Sequence, residues 1–331
     1  MSQKLDAHDK KILFELDNNS RLSAGEIGRK IRLSKETVNY RLKRIISQKW
    51  IIKFYPLINA SKLGYYYYKI FLKFNKMPGT VETELIHFLR SDPSCANLRI
   101  LNGRYDLAFL TMQPNPLGLR EFFISFNKSF GAYILQKSIH TVLFTHHSNQ
   151  KFAIEDKSIR TTLYHGEVTN VKMDKIDYFI LKSISKNTRV RLVELATSLH
   201  QGLQVVRYRL RRLEHKQVIN GYFSAFNFNL LNRKLVQIDL TLKQYNNIAQ
   251  MITFLEQKGV CLFIYEIIGR YDLSIELYVE NDFTLKIILN EFKEKFIEDY
   301  INIEVSNVSM DYVINWSPFD AAIDRVSKIE P

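Results

Sequence analysis

The sequence predicts an α+β protein of two tandem units, each a winged, tri-helical helix-turn-helix followed by a ferredoxin-like βαββαβ sandwich. Three observations predict it. The chain repeats itself: GRYDL stands at residues 103–107 and 269–273, an offset of 166 that Cys95 and Cys261 share. Upstream, at an offset of 168, LDAHDKKIL aligns with MDKIDYFIL, NNSRLSAGEIGRKI with KNTRVRLVELATSL, and VNYRLKRI with VRYRLRRL. Self-similarity of this kind marks a duplicated architecture. Within each copy the apolar spacing changes from a helical period to strand alternation, and a surplus of positive charge is confined to the helical part. The expected division is a first helix-turn-helix at 1–55, a first ferredoxin-like domain at 62–147, a polar connector without apolar periodicity at 148–172, and a second pair at 173–222 and 233–318.

In the first unit Ile12, Leu13 and Leu16 are apolar at helical spacing, and Asn18, Asn19 and Ser20 break the run. A second helix carries Glu26, Ile27 and Ile31. A third begins at Ser34, a good N-cap because its oxygen can satisfy a free amide of the first turn. On it Val38, Leu42 and Ile45 form one apolar stripe, while Glu36, Tyr40, Lys43 and Arg44 point elsewhere. Two short helices and a longer basic one read as a helix-turn-helix.

Residues 21–53 hold ten Lys or Arg against two Glu, and residues 186–216 hold eight against two. Phosphates supply affinity through Lys and Arg, whereas side chains near the start of a recognition helix read base edges in the major groove. Candidate readers are Lys35, Glu36, Thr37, Asn39 and Tyr40, with Arg41, Lys43 and Arg44 placed for phosphates. In the second unit Gly202, Leu203, Gln204 and Arg207 replace Ser34, Lys35, Glu36 and Asn39. Gln204 and Arg207 are competent readers, joined there by Tyr208, Arg209, Arg211 and Arg212. Two helices so different are not expected to read identical half-sites, and Leu203 fits either a thymine methyl or a protein surface.

The rear of unit one runs YYYYKIFLKF (strand), TVETELIHFLR (helix), CANLRIL and RYDLAFLTM (a hairpin), PLGLREFFISFNKSF (helix) and AYILQKSIHTVLFT (strand). Unit two repeats this order from KLVQIDLTLK to INIEVSNVSMDYVI. The order β-α-β-β-α-β gives an antiparallel sheet with helices on one face, so the other face needs a partner. In the second hairpin Tyr271, Leu273 and Ile275 are expected on one face and Asp272, Ser274 and Glu276 on the other. Tyr65 to Tyr68 alternate as sheet residues. Glycine would permit the positive φ of a tight hairpin, and the aspartate could accept a bond from nearby backbone.

A helix-turn-helix followed by a ferredoxin-like domain with a G-x-Y-D-L hairpin resembles the Lrp/AsnC family of transcription regulators. The resemblance spans nearly the whole chain, twice. It implies duplex DNA as partner, dimerisation through the rear sheets, and a small effector, commonly an amino acid, near the hairpins. Gly103, Tyr105, Asp106, Gly269, Tyr271 and Asp272 would then edge the effector pockets. Fusion of two units implies an internal pseudo-dimer, with further homo-oligomers expected. Siroheme decarboxylases are built from similar fused units and supply an alternative, tetrapyrrole-handling reading, against which stands the charge of the third helices.

Net charge of +13 at 331 residues, with pI about 9.5, agrees with an anionic partner. The beginning MSQKLDAHDKKILFEL has no apolar core and no stretch reaches about 18 apolar residues, so a cytoplasmic protein without a membrane partner is expected. Two cysteines are too few for a disulfide framework or a zinc site. No phosphate-binding loop, metal-ligand spacing or nucleophile elbow occurs, so neither catalytic residues nor a cofactor are expected. His140, His146 and His147 align with Ser306, Tyr312 and Val313, which favours packing over metal binding.

Overall fold

The computed structural model describes residues 4–149 and 161–313. Unit one opens with α1 (Ala7–Asn18), whose first turn is closed by Asp6 and Asp9 bonding reciprocally to each other's backbone. Next come α2 (Ala24–Ile31), α3 (Lys35–Ser47), which Ser34 caps as expected, and β1 (Ile51–Ile58). The rear consists of β2 (Tyr66–Phe74), α4 (Gly79–Ser91), β3 (Cys95–Asn102), β4 (Leu107–Gln113), α5 (Pro116–Phe130) and β5 (Ile134–Ser148). A short β6 (Thr161–His165) follows. Unit two repeats the series as α6 (Lys175–Lys186), α7 (Leu192–Ser198), α8 (Leu203–His215), β7 (Ile219–Phe226), β8 (Lys234–Leu242), α9 (Ile248–Gln257), β9 (Cys261–Ile268), β10 (Leu273–Val279), α10 (Asp282–Lys295) and β11 (Tyr300–Val313).

The two units share one sheet, ordered β2-β4-β3-β11-β8-β10-β9-β5-β6, and β5 also pairs with β2. All but β6 therefore form a closed ring. The last strand of each unit closes it by changing partners midway. β5 lies on β2 as far as Val142 and on β9 through His147, while β11 lies on β8 as far as Asn307 and on β3 beyond. Leu107 and Phe109 face α4 and α5 in one outer core, and Leu273, Ile275 and Leu277 face α9 and α10 in another. The faces turned away from the helices bury each other, so each unit supplies the cover that the other lacks.

That inner layer corrects the alternation expected of the second hairpin. Tyr271 does not share a face with Leu273 and Ile275; it precedes the strand and packs inward with Phe71 and Tyr105. Ser274 and Glu276, a polar face by sequence, are wholly buried. Glu276 meets Lys69 of β2 at 3.2 Å and also pairs with Arg99 of β3, whose Nε lies 3.1 Å from Asp311. Charge from Arg99 and Lys69 outweighs burial and keeps the Glu276 carboxyl below the usual range. The Lys69 ammonium also sits 4.3 Å over the Tyr265 ring.

The connector also departs from expectation. Its residues 161–165 are a strand because β2 leaves β5 at Val142, and the edge of β5 from Phe144 to Ser148 is then open for β6 to pair. Tyr164 and His165 are buried there, with His165 Nδ1 2.7 Å from Thr145 Oγ1. Five residues with two apolar side chains are too short to show a period. The hairpin glycines need a different explanation as well. Neither Gly103 nor Gly269 has positive φ. A Cβ on Gly103 would lie 2.3 Å from Ser306 Oγ, and one on Gly269 would lie 2.9 Å from the Ile139 carbonyl. Close approach of the crossing strands is what excludes a side chain.

Removing the Glu276 carboxylate takes the ion-pair partner from the buried Lys69 and leaves the buried Arg99 with Asp311 alone, so Glu276→Ala should cost about 3–5 kcal/mol in urea unfolding; a loss under about 1 kcal/mol would refute the pairing. His146 sits between Glu266 at 2.8 Å and Glu256 at 3.6 Å. Burial lowers its affinity for a proton, but the two carboxylates prevail and raise its pKa to about 9. A folded pKa above the ordinary 6.5 gives stability fully present below pH 6.5 and lost as pH rises through about 9. The stability gap between wild type and His146→Gln should therefore be open at pH 6 and close by about pH 10.

Candidate nucleic-acid interface

The two helix-turn-helix units are clasped to each other. β1 and β7 pair antiparallel as a ribbon, from Ile51 with Phe226 to Ile58 with Ile219. Arg21 donates to the Thr188 carbonyl, and Arg189 donates to the carbonyls of Ser20 and, at 3.0 Å, Leu22. These arginines are equivalent positions of the repeat, so each unit grips the loop between the first two helices of the other. α1 packs against Phe226 of the other unit's strand, and Val206, Leu210 and Leu213 of α8 share a core with Leu57 and Ile58 of β1.

On α3 the buried stripe is Val38, Leu42 and Ile45, as expected. Lys35, Glu36, Asn39 and Lys43 are exposed, and Tyr40 is 69 % exposed. Thr37 is half-buried, with its hydroxyl 3.0 Å from Ser34 Oγ. On α8 Gln204 and Arg211 are exposed, Tyr208 is 68 % exposed, and the half-buried Arg207 donates to Gln204 at 3.2 Å. Gly202 starts α8 without a side-chain cap, and Leu203 packs partly against the adjoining core. Large exposed tyrosines at equivalent positions of two otherwise water-facing surfaces are unusual for side chains with nothing to touch.

Arg41 and Arg44, placed for phosphates by sequence, are engaged inside the fold. Arg41 Nη1 lies 2.6 Å from Asp6 and 2.9 Å from Asp9, and Arg44 also pairs with Asp9, which is wholly buried. Arg209 and Arg212 repeat the arrangement: Arg209 Nη1 is 2.7 Å from Asp174 and 3.1 Å from the buried Asp177, which Arg212 approaches at 3.5 Å. These pairs bolt each third helix to the start of its first. Hydrogen bonding to Arg41, with Asp9 and His8 backbone bonds, overcomes burial and lowers the Asp6 carboxyl to about 2. A duplicated D-x-x-D at the start of the first helix and R-x-x-R on the third were the available signal, and their constant separation across both copies was informative.

The hairpin residues are likewise satisfied by their own fold. Asp106 accepts from the Phe74 amide at 2.7 Å and from Lys73 at 2.7 Å; Asp272 accepts from the Leu242 amide at 2.7 Å and from Tyr245. Tyr105 and Tyr271 are buried in the inner layer, and Tyr271 donates to Glu304. Cys95 and Cys261 are buried free thiols. Among the described residues no group of His, Cys, Asp and Glu could hold a metal ion, and no helix is long and apolar enough to cross a membrane.

Residues 5–52 match the model of winged helix-turn-helix DNA-binding domains. Over 118 residues the chain is 33 % identical to the HTH-type transcriptional regulator Ptr1 of Methanocaldococcus jannaschii, covering 36 % of this chain and 78 % of that one. The chain belongs to the Lrp/AsnC family of transcription regulators. Another family relative, an uncharacterized HTH-type transcriptional regulator of Pyrococcus furiosus, is 23 % identical over 145 residues, 43 % of this chain and 91 % of that one. Both relatives correspond to a single unit. The fold of the fused pair is matched by the crystal structure of the siroheme decarboxylase NirDL, at a TM-score of 0.63 and 10 % identity over 97 % of this chain and 98 % of that one.

Taking Arg44 away removes one of the two arginines that neutralise the buried Asp9 carboxylate, so Arg44→Ala should destabilise the protein by about 1–3 kcal/mol. Lys43→Ala, on the exposed face, should leave the unfolding midpoint unchanged. Equal midpoints for both variants would overturn this division of roles.

Proposed function

We propose that this Lrp/AsnC-family protein binds duplex DNA through two non-identical recognition helices held in one fixed frame by their mutual clasp. The observation that carries the reading is the pair of exposed faces on α3 and α8. Each presents a tyrosine, cations and amide or acidic groups beyond its internally paired arginines. Asn39 on α3 and Gln204 and Arg207 on α8 have the donor and acceptor geometry for adenine or guanine edges. Lys35, Lys43 and Arg211 supply phosphate charge. Because the faces differ in sequence, the preferred operator is two unlike half-sites, not a palindrome. A small organic effector would act by shifting how this frame meets the duplex.

Fold likeness to NirDL over nearly the full chain favours a second reading, an enzyme acting on a tetrapyrrole. The cation-bearing recognition faces have no role in that chemistry.

Mobility shift on genomic fragments at two salt concentrations separates the two. The regulator reading predicts retarded duplex at low salt and an affinity whose logarithm falls with log salt by about 0.9 per phosphate neutralised. Absence of any shift at low salt, together with a Soret change on adding siroheme, would replace it by the enzyme reading.

A further inference from the structure

The repeat sets α3 and α8 in register at an offset of 168, so each position of one helix has a counterpart in the other. From residue 40 onward the exposed pairs keep their chemistry, Tyr40 with Tyr208 and Lys43 with Arg211. The buried Val38 and Leu42 and the internally paired Arg41 and Arg44 recur unchanged as Val206, Leu210, Arg209 and Arg212. Change is concentrated in the first five residues, where Lys35, Glu36, Thr37 and Asn39 correspond to Leu203, Gln204, Val205 and Arg207. Glu36 is the sole acidic residue of α3; it is exposed and has no cationic partner among the described residues. At the same position of α8 Gln204 is also exposed, and its Oε1 accepts from Arg207 Nη1 at 3.2 Å. Arg207 has no carboxylate partner among the described residues, so its remaining donors are uncommitted.

In a helix lying in the major groove the first turns point at base edges, whereas later basic residues meet phosphates. An unpaired carboxylate among phosphates is repelled unless a base offers it a donor. The N4 amine of cytosine is the donor that suits a carboxylate, and guanine and thymine, which present acceptors there, are rejected by it. Asn39, three residues on, shares that helix face and matches adenine. In α8 the guanidinium fork of Arg207 matches guanine O6 and N7, and its bond to Gln204 restricts a long side chain before the duplex arrives. We propose that Glu36 selects cytosine in one half-site, and that Arg207, held by Gln204, selects guanine in the other. The inference rests on the regulator reading and deepens it. Gln204 is a positioning residue, and the exchange of Glu36 and Asn39 for Gln204 and Arg207 is what makes the half-sites unlike. A first-turn carboxylate also steadies a helix N-terminus, but that effect changes stability and leaves base preference alone.

Selection of bound duplexes from a random-sequence pool by the full chain, then competition against single-base variants of the selected duplex, tests the assignment. Replacing the cytosine should weaken wild-type binding about tenfold, and replacing the guanine in the other half-site should do the same. Glu36→Gln should remove the first penalty and leave the second, whereas Gln204→Ala should shrink the second and leave the first. Glu36→Gln combined with Asn39→Arg should transfer the guanine preference to α3. A symmetric duplex carrying the second half-site twice then outcompetes the wild-type operator by about tenfold. Lys43→Ala should weaken all of these duplexes alike. Every substituted position is exposed, and thermal unfolding verifies that each variant folds. Three results overturn the proposal and leave DNA binding standing: wild-type preferences retained by the double variant, an unchanged guanine penalty in Gln204→Ala, or wild-type binding without preference at these bases. Absence of any duplex binding by the wild type at low salt defeats the regulator reading and the proposal with it.

Discussion

Glu276 is a carboxylate shielded from water, neutralised by two cations that belong to the other unit. Lys69 and Arg99 come from β2 and β3, and Glu276 from β10, so the two inner faces can be buried together only when the units are docked in this register. The pattern is not symmetric. At the repeat's offsets the counterparts of Lys69 and Arg99 are Gln237 and Tyr265, and the counterpart of Glu276 is Leu110. A dimer of unit one alone would bury the two cations without this carboxylate, and a dimer of unit two alone would bury the carboxylate without these cations. Such a network is a weak source of net stability compared with an apolar core, but a strong specifier of which surfaces meet. Fusion lets the two faces diverge into complementary halves. The strand exchange of β5 and β11 then joins those halves into one ring.

The same docking governs the DNA-binding end. With the rear sheets closed on one another, β1 and β7 come together as a ribbon, and Arg21 and Arg189 lock the helical units reciprocally. The two third helices, α3 and α8, are therefore not independent bodies on a tether. Their relative placement is fixed by contacts between the two units and is a property of the whole chain.

Much of this was legible from residues. The Ser34 cap, the Val38, Leu42, Ile45 stripe and the aspartates of the repeated pentapeptide all act as local chemistry predicts, because each meets partners close in sequence or at a fixed pairing position. What escaped depends on distant partners. Arg41 and Arg44 look like any basic helix surface until α1 brings Asp9 beneath them from more than thirty residues away. Gly103 and Gly269 look like turn glycines, yet the reason for them is the last strand of the other unit. β6 has an edge to pair with because β2 begins only opposite Val142, a fact that its own five residues do not contain.

Native-state hydrogen exchange on the full chain tests most directly whether the two units form one cooperative body. Amides of the exchanged seams, β5 with β9 and β11 with β3, should exchange only through global unfolding, with free energies equal to those of the innermost strands of both units. Release of β8 to β11 as a separate, lower-energy opening while β2 to β5 stay protected would contradict the account.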